Sequence, residues 1–306
     1  MKLMQGVIPV LLTPFTKTED VNEPALRASV RRLIAAGAHG LFGLGTNGEF
    51  FSLSADEKVR IMEIVVDEAK GKVPVYAGTG GGSTREVAEL SAKMEAIGVD
   101  ALSVITPYFL PFTQRELAAH YRSVAASVSL PIVLYNFPAR TGVRLEPETV
   151  AELARIPNIA GIKDSSGSME TIRQYIAAGG PDFAVLAGSD ALLLETLEAG
   201  GTGGVSGSAN VVPELMISIY THWKSGEREA AAKAQSLLAP LTEVYRKATL
   251  PSVFKEALNR IGLEAGPCRM PIAPLPPDVS EELDGVLGYY RERGYIHDKE
   301  TEESEA

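Results

Sequence analysis

The sequence predicts an α/β fold, a (β/α)8 TIM barrel with a C-terminal helical extension, on two observations. Short apolar runs alternate with amphipathic stretches, and about eight such units fill the first roughly 210 residues, the tally and length of a closed barrel rather than a doubly wound sheet. Past Asn210 the strand signal stops while the helical spacing continues.

Taken in order, Gly6 to Leu12 reads as the first strand, Glu23 to Ala36 as a helix, Gly40 to Leu44 as the second strand and Ala55 to Lys70 as its helix. Further strands are expected at Val73 to Ala77, Ala101 to Ile105, Ile132 to Tyr135, Ile159 to Ile162, Ala184 to Leu186 and, weakly, Gly203 to Val205. Helices open near Ser83, Thr113, Pro147, Ser168 and Ser189, since hydroxyl residues cap a first turn and proline tolerates it. Pro213 to Ser225 closes the barrel, and helices over Arg228 to Arg246 and Pro251 to Ile261 follow. The Pro-rich Pro267 to Pro277 then leads to a last helix near Ser280 to Arg293. This divides the chain into a catalytic barrel (1–225), a helical extension (226–296) and an acidic tail (297–306), expected to be disordered because it lacks apolar residues to bury.

With 306 residues, 45% of them hydrophobic and 22% charged, the chain can bury one large core. A formal charge of -10 offers no basic face for nucleic acid, and no apolar run approaches the ~20 residues of a spanning helix, so neither nucleic acid nor membrane is an expected partner. Pro9 and Pro14 interrupt any signal-peptide core, which points to a cytoplasmic protein. The single Cys268 reads as a structural thiol, and His39, His120, His222 and His297 lack metal-ligand spacing, so no metal is expected. Gly78 to Ser83 resembles a phosphate cradle but lacks the Gly-Lys-[Ser/Thr] ending, and reads as a connection.

In a barrel of this kind the chemistry sits at the C-terminal ends of the strands. Lys163 follows Ile159-Ala160-Gly161-Ile162, and a lysine partly desolvated at an apolar mouth becomes a nucleophile toward a ketone because burial disfavours its ammonium form. Taken alone, a strand-end lysine reaching for water is the commoner case. Tyr135 ends the neighbouring strand, roughly 5 Å away, and a phenol there can relay protons for carbinolamine dehydration. Thr46, Asn47 and Gly48, in a Gly-rich turn after strand two, can offer amides and side-chain donors to a carboxylate. The same turn satisfies Gly43-x-Gly45-x-x-Gly48, but it follows the second strand and does not open directly into a helix, so a dinucleotide fingerprint is rejected.

On these residues the chain resembles the dihydrodipicolinate synthase / N-acetylneuraminate lyase superfamily over nearly its whole length. Gly45-Thr46-Asn47-Gly48-Glu49 is similar to the family's pyruvate-carboxylate turn, Tyr135-Asn136-Phe137-Pro138 to its tyrosine motif, Gly161-Ile162-Lys163-Asp164 to its Schiff-base motif and Gly203 to Asn210 to its strand-eight loop. The resemblance implies that Lys163 attacks a keto carbon, Tyr135 relays protons, and Thr46 and Asn47 hold pyruvate. Gly48, Gly188, Ser206 and Arg140 complete the candidate binding set. It also implies a homotetramer of tight dimers, with pyruvate and an aldehyde as partners and no cofactor, since the lysine is the electron sink.

Subfamily signals conflict. Dihydrodipicolinate synthases usually carry two adjacent hydroxyl residues in the turn and a relay tyrosine from a neighbouring subunit, where this chain has Asn47 and Phe109. Arg140 matches the synthase arginine that grips the second substrate's carboxylate. The motifs around Thr46, Tyr135 and Lys163 lean toward aldolases of 2-keto-3-deoxygluconate, in which Tyr135 takes the C4 hydroxyl proton and C3–C4 breaks. The alternatives are condensation of pyruvate with aspartate semialdehyde, or a 2-keto-acid dehydratase on the same lysine. A non-catalytic sugar-acid binder is the third class, and it requires all these residues to be idle.

Overall fold

The computed structural model describes residues 4–297. Eight strands alternate with helices: β1 (Gly6–Pro9), α1 (Glu23–Ala35), β2 (Leu41–Gly43), α2 (Ala55–Ala69), β3 (Val75–Gly78), α3 (Thr84–Ile97), β4 (Ala101–Ile105), α4 (Gln114–Ala126), β5 (Ile132–Asn136), α5 (Pro138–Thr141), α6 (Pro147–Leu153), β6 (Ile159–Asp164), α7 (Met169–Gly179), β7 (Ala184–Ala187), α8 (Leu193–Glu198) and β8 (Gly203–Ser206). After β8 comes α9 (Pro213–Lys224), and the extension follows as α10 (Arg228–Leu237), α11 (Ala239–Val244), α12 (Ser252–Arg260) and α13 (Pro277–Arg291). All strand pairs are parallel, in the order β1-β8-β7-β6-β5-β4-β3-β2, and a bridge between Val10 and Phe42 completes the ring. The predicted (β/α)8 TIM barrel is the fold observed.

Alternation along the strands sorts side chains between two cores. Ile8, Val10, Phe42, Tyr76, Val133, Leu186 and Val205 fill the barrel interior, while Leu41, Leu102, Leu134 and Ile162 face the helical ring. A third cluster joins Leu215 and Ile219 of α9 to Phe254 of α12 and Leu283 and Leu287 of α13, and it also takes in Val7 of β1 and Leu193 and Leu197 of α8, so the C-terminal helices share an apolar seam with the barrel. The helix starts follow from their caps: Ser54 and Thr113 each close a capping box, with Glu57 and Glu116 respectively, and Ser83 and Ser168 accept first-turn amides.

The expected boundaries shift where backbone chemistry intervenes. β1 stops at Pro9, three residues before Leu12: Val10 N–H still donates to Ser206 O at 2.9 Å, but Leu11 N–H crosses to Phe42 O at 2.9 Å. β6 continues through Lys163 and Asp164, so the candidate lysine lies within the strand rather than after it. The long helix expected over Arg228 to Arg246 is broken at Leu238, because Pro240 must begin a new helix, and a 3-10 turn at Tyr245–Lys247 ends the run. The last helix starts at Pro277, ahead of the expected Ser280. Of the acidic tail, 298–306 lie outside the described residues. Among the described residues no helix is long and apolar enough to cross a membrane.

Candidate active site

Strand register assembles the site. Ile105, Tyr135, Lys163 and Leu186 are successive partners across β4, β5, β6 and β7, so they share one face, and Leu186 marks it as the interior. Lys163 is only 4% exposed. Its Nζ lies 4.0 Å from the Tyr135 ring centroid and 4.9 Å from that of Phe42, which contributes the far wall from β2.

The Tyr135 hydroxyl is 3.3 Å from Thr46 Oγ1. Thr46 begins a 3-10 turn, Thr46–Gly48, whose N-terminus no side chain caps, while Gly48 and Glu49 return their amides to Gly45 and Thr46. The leading amides of such a turn are donors available to an anion. Thr13 Oγ1 donates to Gly48 O at 2.7 Å and fixes the turn to the β1 loop. Asn47 is buried, with its amide group against Gly207: a Cβ on Gly207 would come within 2.7 Å of Asn47 Nδ2 and 2.8 Å of Phe254, so only glycine fits.

Gly188 and Ser206 sit on the same rim. Gly188 N–H donates to Asp164 O at 2.7 Å, and a Cβ there would overlap the Ser165 hydroxyl. Ser206 is buried, and its Oγ accepts the Ala209 N–H at 3.0 Å. Arg140 is exposed on α5, one edge of a cavity of about 240 Å³ that Thr46, Phe50, Tyr108 and Leu250 also line. Thus Lys163, Tyr135 and Thr46 form a contiguous row, Asn47 and Gly48 continue it, and Arg140 shares the cavity with Thr46.

Two buried carboxylates were not singled out from sequence. Asp190, just past β7, accepts the Ser208 N–H at 2.8 Å; burial pushes its carboxyl up, while hydrogen bonds from Ser208 and Ser206 and the nearby Lys163 charge act against that. Asp164 accepts from Asn136 Nδ2 at 2.7 Å and from Ser166 Oγ at 2.5 Å, and burial raises it too. Asn136 in turn accepts the Leu145 N–H, so the ends of β5 and β6 are locked to the segment after α5. The position of Asp190 at a strand end was the available signal. Phe42 was legible only through interior parity.

Cys268 is partly buried, and burial together with the Glu49 carboxylate pushes its thiol up to about 12, which suits an inert structural thiol. Among the described residues no group of three or more His, Cys, Asp or Glu side chains is arranged to hold a metal ion.

Comparison with known proteins shows the family and the fold. The dihydrodipicolinate synthetase family model matches residues 3–288. A 4-hydroxy-tetrahydrodipicolinate synthase of Methanopyrus kandleri is 44% identical over 282 residues, 92% of this chain and 94% of the relative. The 4-hydroxy-tetrahydrodipicolinate synthase from Methylacidiphilum fumariolicum SolV superposes with a TM-score of 0.92 at 33% identity, covering 94% of this chain and 96% of its own. A prophage protein of the dihydrodipicolinic acid synthase family from E. coli K12, solved in complex with pyruvate, gives 0.91 at 36% identity, covering 95% and 99%.

Proposed function

Because the chain belongs to the dihydrodipicolinate synthetase family, whose members are carbon–carbon lyases, we propose that it condenses pyruvate with aspartate semialdehyde through a Schiff base on Lys163. The observation that carries this reading is the row Lys163–Tyr135–Thr46, an amine and two hydroxyls in sequence on the inner rim of the barrel.

The Lys163 amine adds to the keto carbon of pyruvate, and Tyr135 donates the proton with which the carbinolamine loses water. The leading amides of the Thr46 turn and the Asn47 side chain hold the carboxylate. Tyr135, left as the phenolate by that dehydration, takes a C3 proton from the imine to give an enamine, whose carbon attacks the aldehyde to form the new C–C bond. The aldehyde oxygen takes this proton back from Tyr135, whose hydroxyl Thr46 Oγ1 orients. The amino group of the semialdehyde then displaces Lys163 from the imine carbon, closing the ring and freeing the enzyme. Arg140 meets the semialdehyde carboxylate at the cavity edge, a charge-assisted contact.

The synthase reading takes the place of 2-keto-3-deoxygluconate cleavage, toward which the motifs lean, because the relatives' names favour condensation. Asn47 and Phe109, where synthases usually carry hydroxyls, keep the aldolase reading as the second one to test. The reading includes a cytoplasmic setting and a homotetramer of tight dimers. The oligomer is supported by Phe109, 94% exposed on a left-handed backbone (φ 83°), beside the exposed Leu110: solvent gives such an aromatic no reason to stand there, and a second copy does.

The test is intact-protein mass after borohydride treatment with pyruvate, followed by turnover assays with aspartate semialdehyde and with 2-keto-3-deoxygluconate. A reduced pyruvate adduct that Lys163→Ala abolishes, with consumption of the semialdehyde, is expected. Cleavage of the sugar acid without semialdehyde turnover moves the assignment to an aldolase, and no adduct at all refutes the Schiff base.

A further inference from the structure

The turn that carries Thr46 and Asn47 is fastened from behind by the C-terminal extension. Glu49, which ends this turn, has left-handed backbone, φ 55°, a conformation that side-chain-bearing residues rarely adopt. Its carboxylate is fully buried and is committed to the extension: Oε1 is 2.6 Å from Lys255 Nζ on α12, and Oε2 accepts the Arg269 N–H at 2.9 Å. Lys255 Nζ also donates to Pro267 O at 2.8 Å and lies 4.0 Å from the Phe15 ring centroid. The Arg269 guanidinium, 4.3 Å from that ring centroid, donates to Ser52 O at 3.0 Å and pairs with Glu57. One C-terminal segment therefore grips both Glu49 and Ser52.

Stability alone gives this arrangement little reason to exist. Withdrawing two charges from water costs several kcal/mol per ion, and well-packed apolar side chains often serve as well or better. What the Arg269 N–H bond to the carboxylate and the facing Lys255 charge supply is direction. They fix the backbone at Glu49, whose own N–H is bonded to Thr46 O at 3.1 Å, and through it the leading amides of the turn.

We propose that Glu49, held by Lys255 and the Arg269 amide, is a positioning residue that sets the Thr46–Asn47 turn for the carboxylate of the 2-keto acid, making the extension part of substrate recognition. The identity of that ligand rests on the Schiff-base reading above.

The experiment compares full-length Glu49→Gln, Lys255→Met and the double variant with wild type in three measurements. These are pyruvate affinity from the concentration dependence of borohydride trapping, amide hydrogen exchange over residues 46–52 without ligand, and melting temperature. Each single variant is expected to weaken pyruvate affinity roughly tenfold while leaving the trapping rate at saturation within about threefold, and to speed exchange in the turn. The double variant, with no unpaired buried charge, regains melting temperature without regaining affinity, and carries the test if the single variants fail to fold. Affinity that returns together with stability, or turn exchange that never changes, overturns the proposal. A wild type that traps no pyruvate defeats the Schiff-base reading, while the exchange measurement still decides whether the pair holds the turn.

Discussion

Lys163 and Lys255 are both buried, 4% and 1% exposed, yet their surroundings have opposite chemistry. Lys255 has a carboxylate, a carbonyl and an aromatic face on its ammonium. Burial lowers its affinity for the proton and the Glu49 charge acts against that, so the cation has a partner and no vacancy. Lys163 has the rings of Tyr135 and Phe42 on its flanks and, among the described residues, no carboxylate in ion-pair contact. Burial therefore does not identify a nucleophile; what the nitrogen is left free to do does.

The two lysines separate most clearly on deletion. Lys163→Ala is expected to lower turnover by on the order of 10^4-fold or more and to erase the pyruvate adduct, with little change in melting temperature. Lys255→Ala should do the reverse: it strands the Glu49 carboxylate in the interior and costs about 3–5 kcal/mol of stability by denaturant unfolding, while the adduct at saturating pyruvate survives. A trapped adduct on Lys255, or wild-type stability in its alanine variant, breaks the contrast.

Tyr135→Phe sharpens it from the side of the partners. The variant keeps the ring over Lys163 and removes only the hydroxyl that faces Thr46 Oγ1. A general acid-base role predicts a fall in kcat of roughly 10^2- to 10^3-fold with pyruvate affinity little altered. If steady-state kinetics show affinity falling instead, Tyr135 is a wall and not a relay.

Lys163, the proposed nucleophile, was legible in the sequence and Lys255 was not, for a physical reason. Lys163 and Tyr135 interrupt apolar strands at the one end of a barrel where polar residues gather, so position and chemistry coincide. Lys255 lies on an amphipathic helix, where a lysine ordinarily faces water, and its partner Glu49 is remote in sequence; no periodicity links them. Asp190 stood at a strand end, but its hydrogen bonds to the β8 loop exist only once β7 and β8 are adjacent. The break at Leu238 was foreseeable from Pro240, whereas the continuation of β6 through Asp164 depends on its pairing with Asn136 and Ala187.

Arg140 tests whether the reach of the Lys163 site extends to the second substrate. It is exposed, its guanidinium 6.0 Å from the Phe137 ring centroid, and free to meet an incoming carboxylate. Arg140→Ala removes one charge-assisted contact of about 1.5–3 kcal/mol, so kcat/KM for aspartate semialdehyde should fall roughly 10- to 100-fold with pyruvate trapping unchanged. An equal loss in pyruvate affinity would place Arg140 on the first substrate instead.

The smallest effect comes from a third buried nitrogen, one with no counter-charge among the described residues. His120 is 6% exposed, and its Nδ1 is 2.9 Å from Thr84 Oγ1. Burial alone depresses its pKa from 6.5 to about 4, so the folded protein keeps the ring neutral where the unfolded chain protonates it. The sign follows: the stabilisation is complete above pH 6.5 and is lost as pH falls toward 4, because the unfolded state binds the extra proton. Between pH 7.5 and 5.5 the loss should be about 1 kcal/mol, and it should vanish from the pH dependence of denaturant unfolding in His120→Gln. Carboxylates such as Glu57, held down to about 2 by Arg269, lose their contribution only below their ordinary range, so they leave that window clear. His39, also depressed by burial, contributes to the same slope, and the difference between variant and wild type isolates His120. Parallel slopes would mean that His120 gains its proton in the folded state. Burial without a counter-charge would then not suffice to hold the His120 ring neutral in this fold.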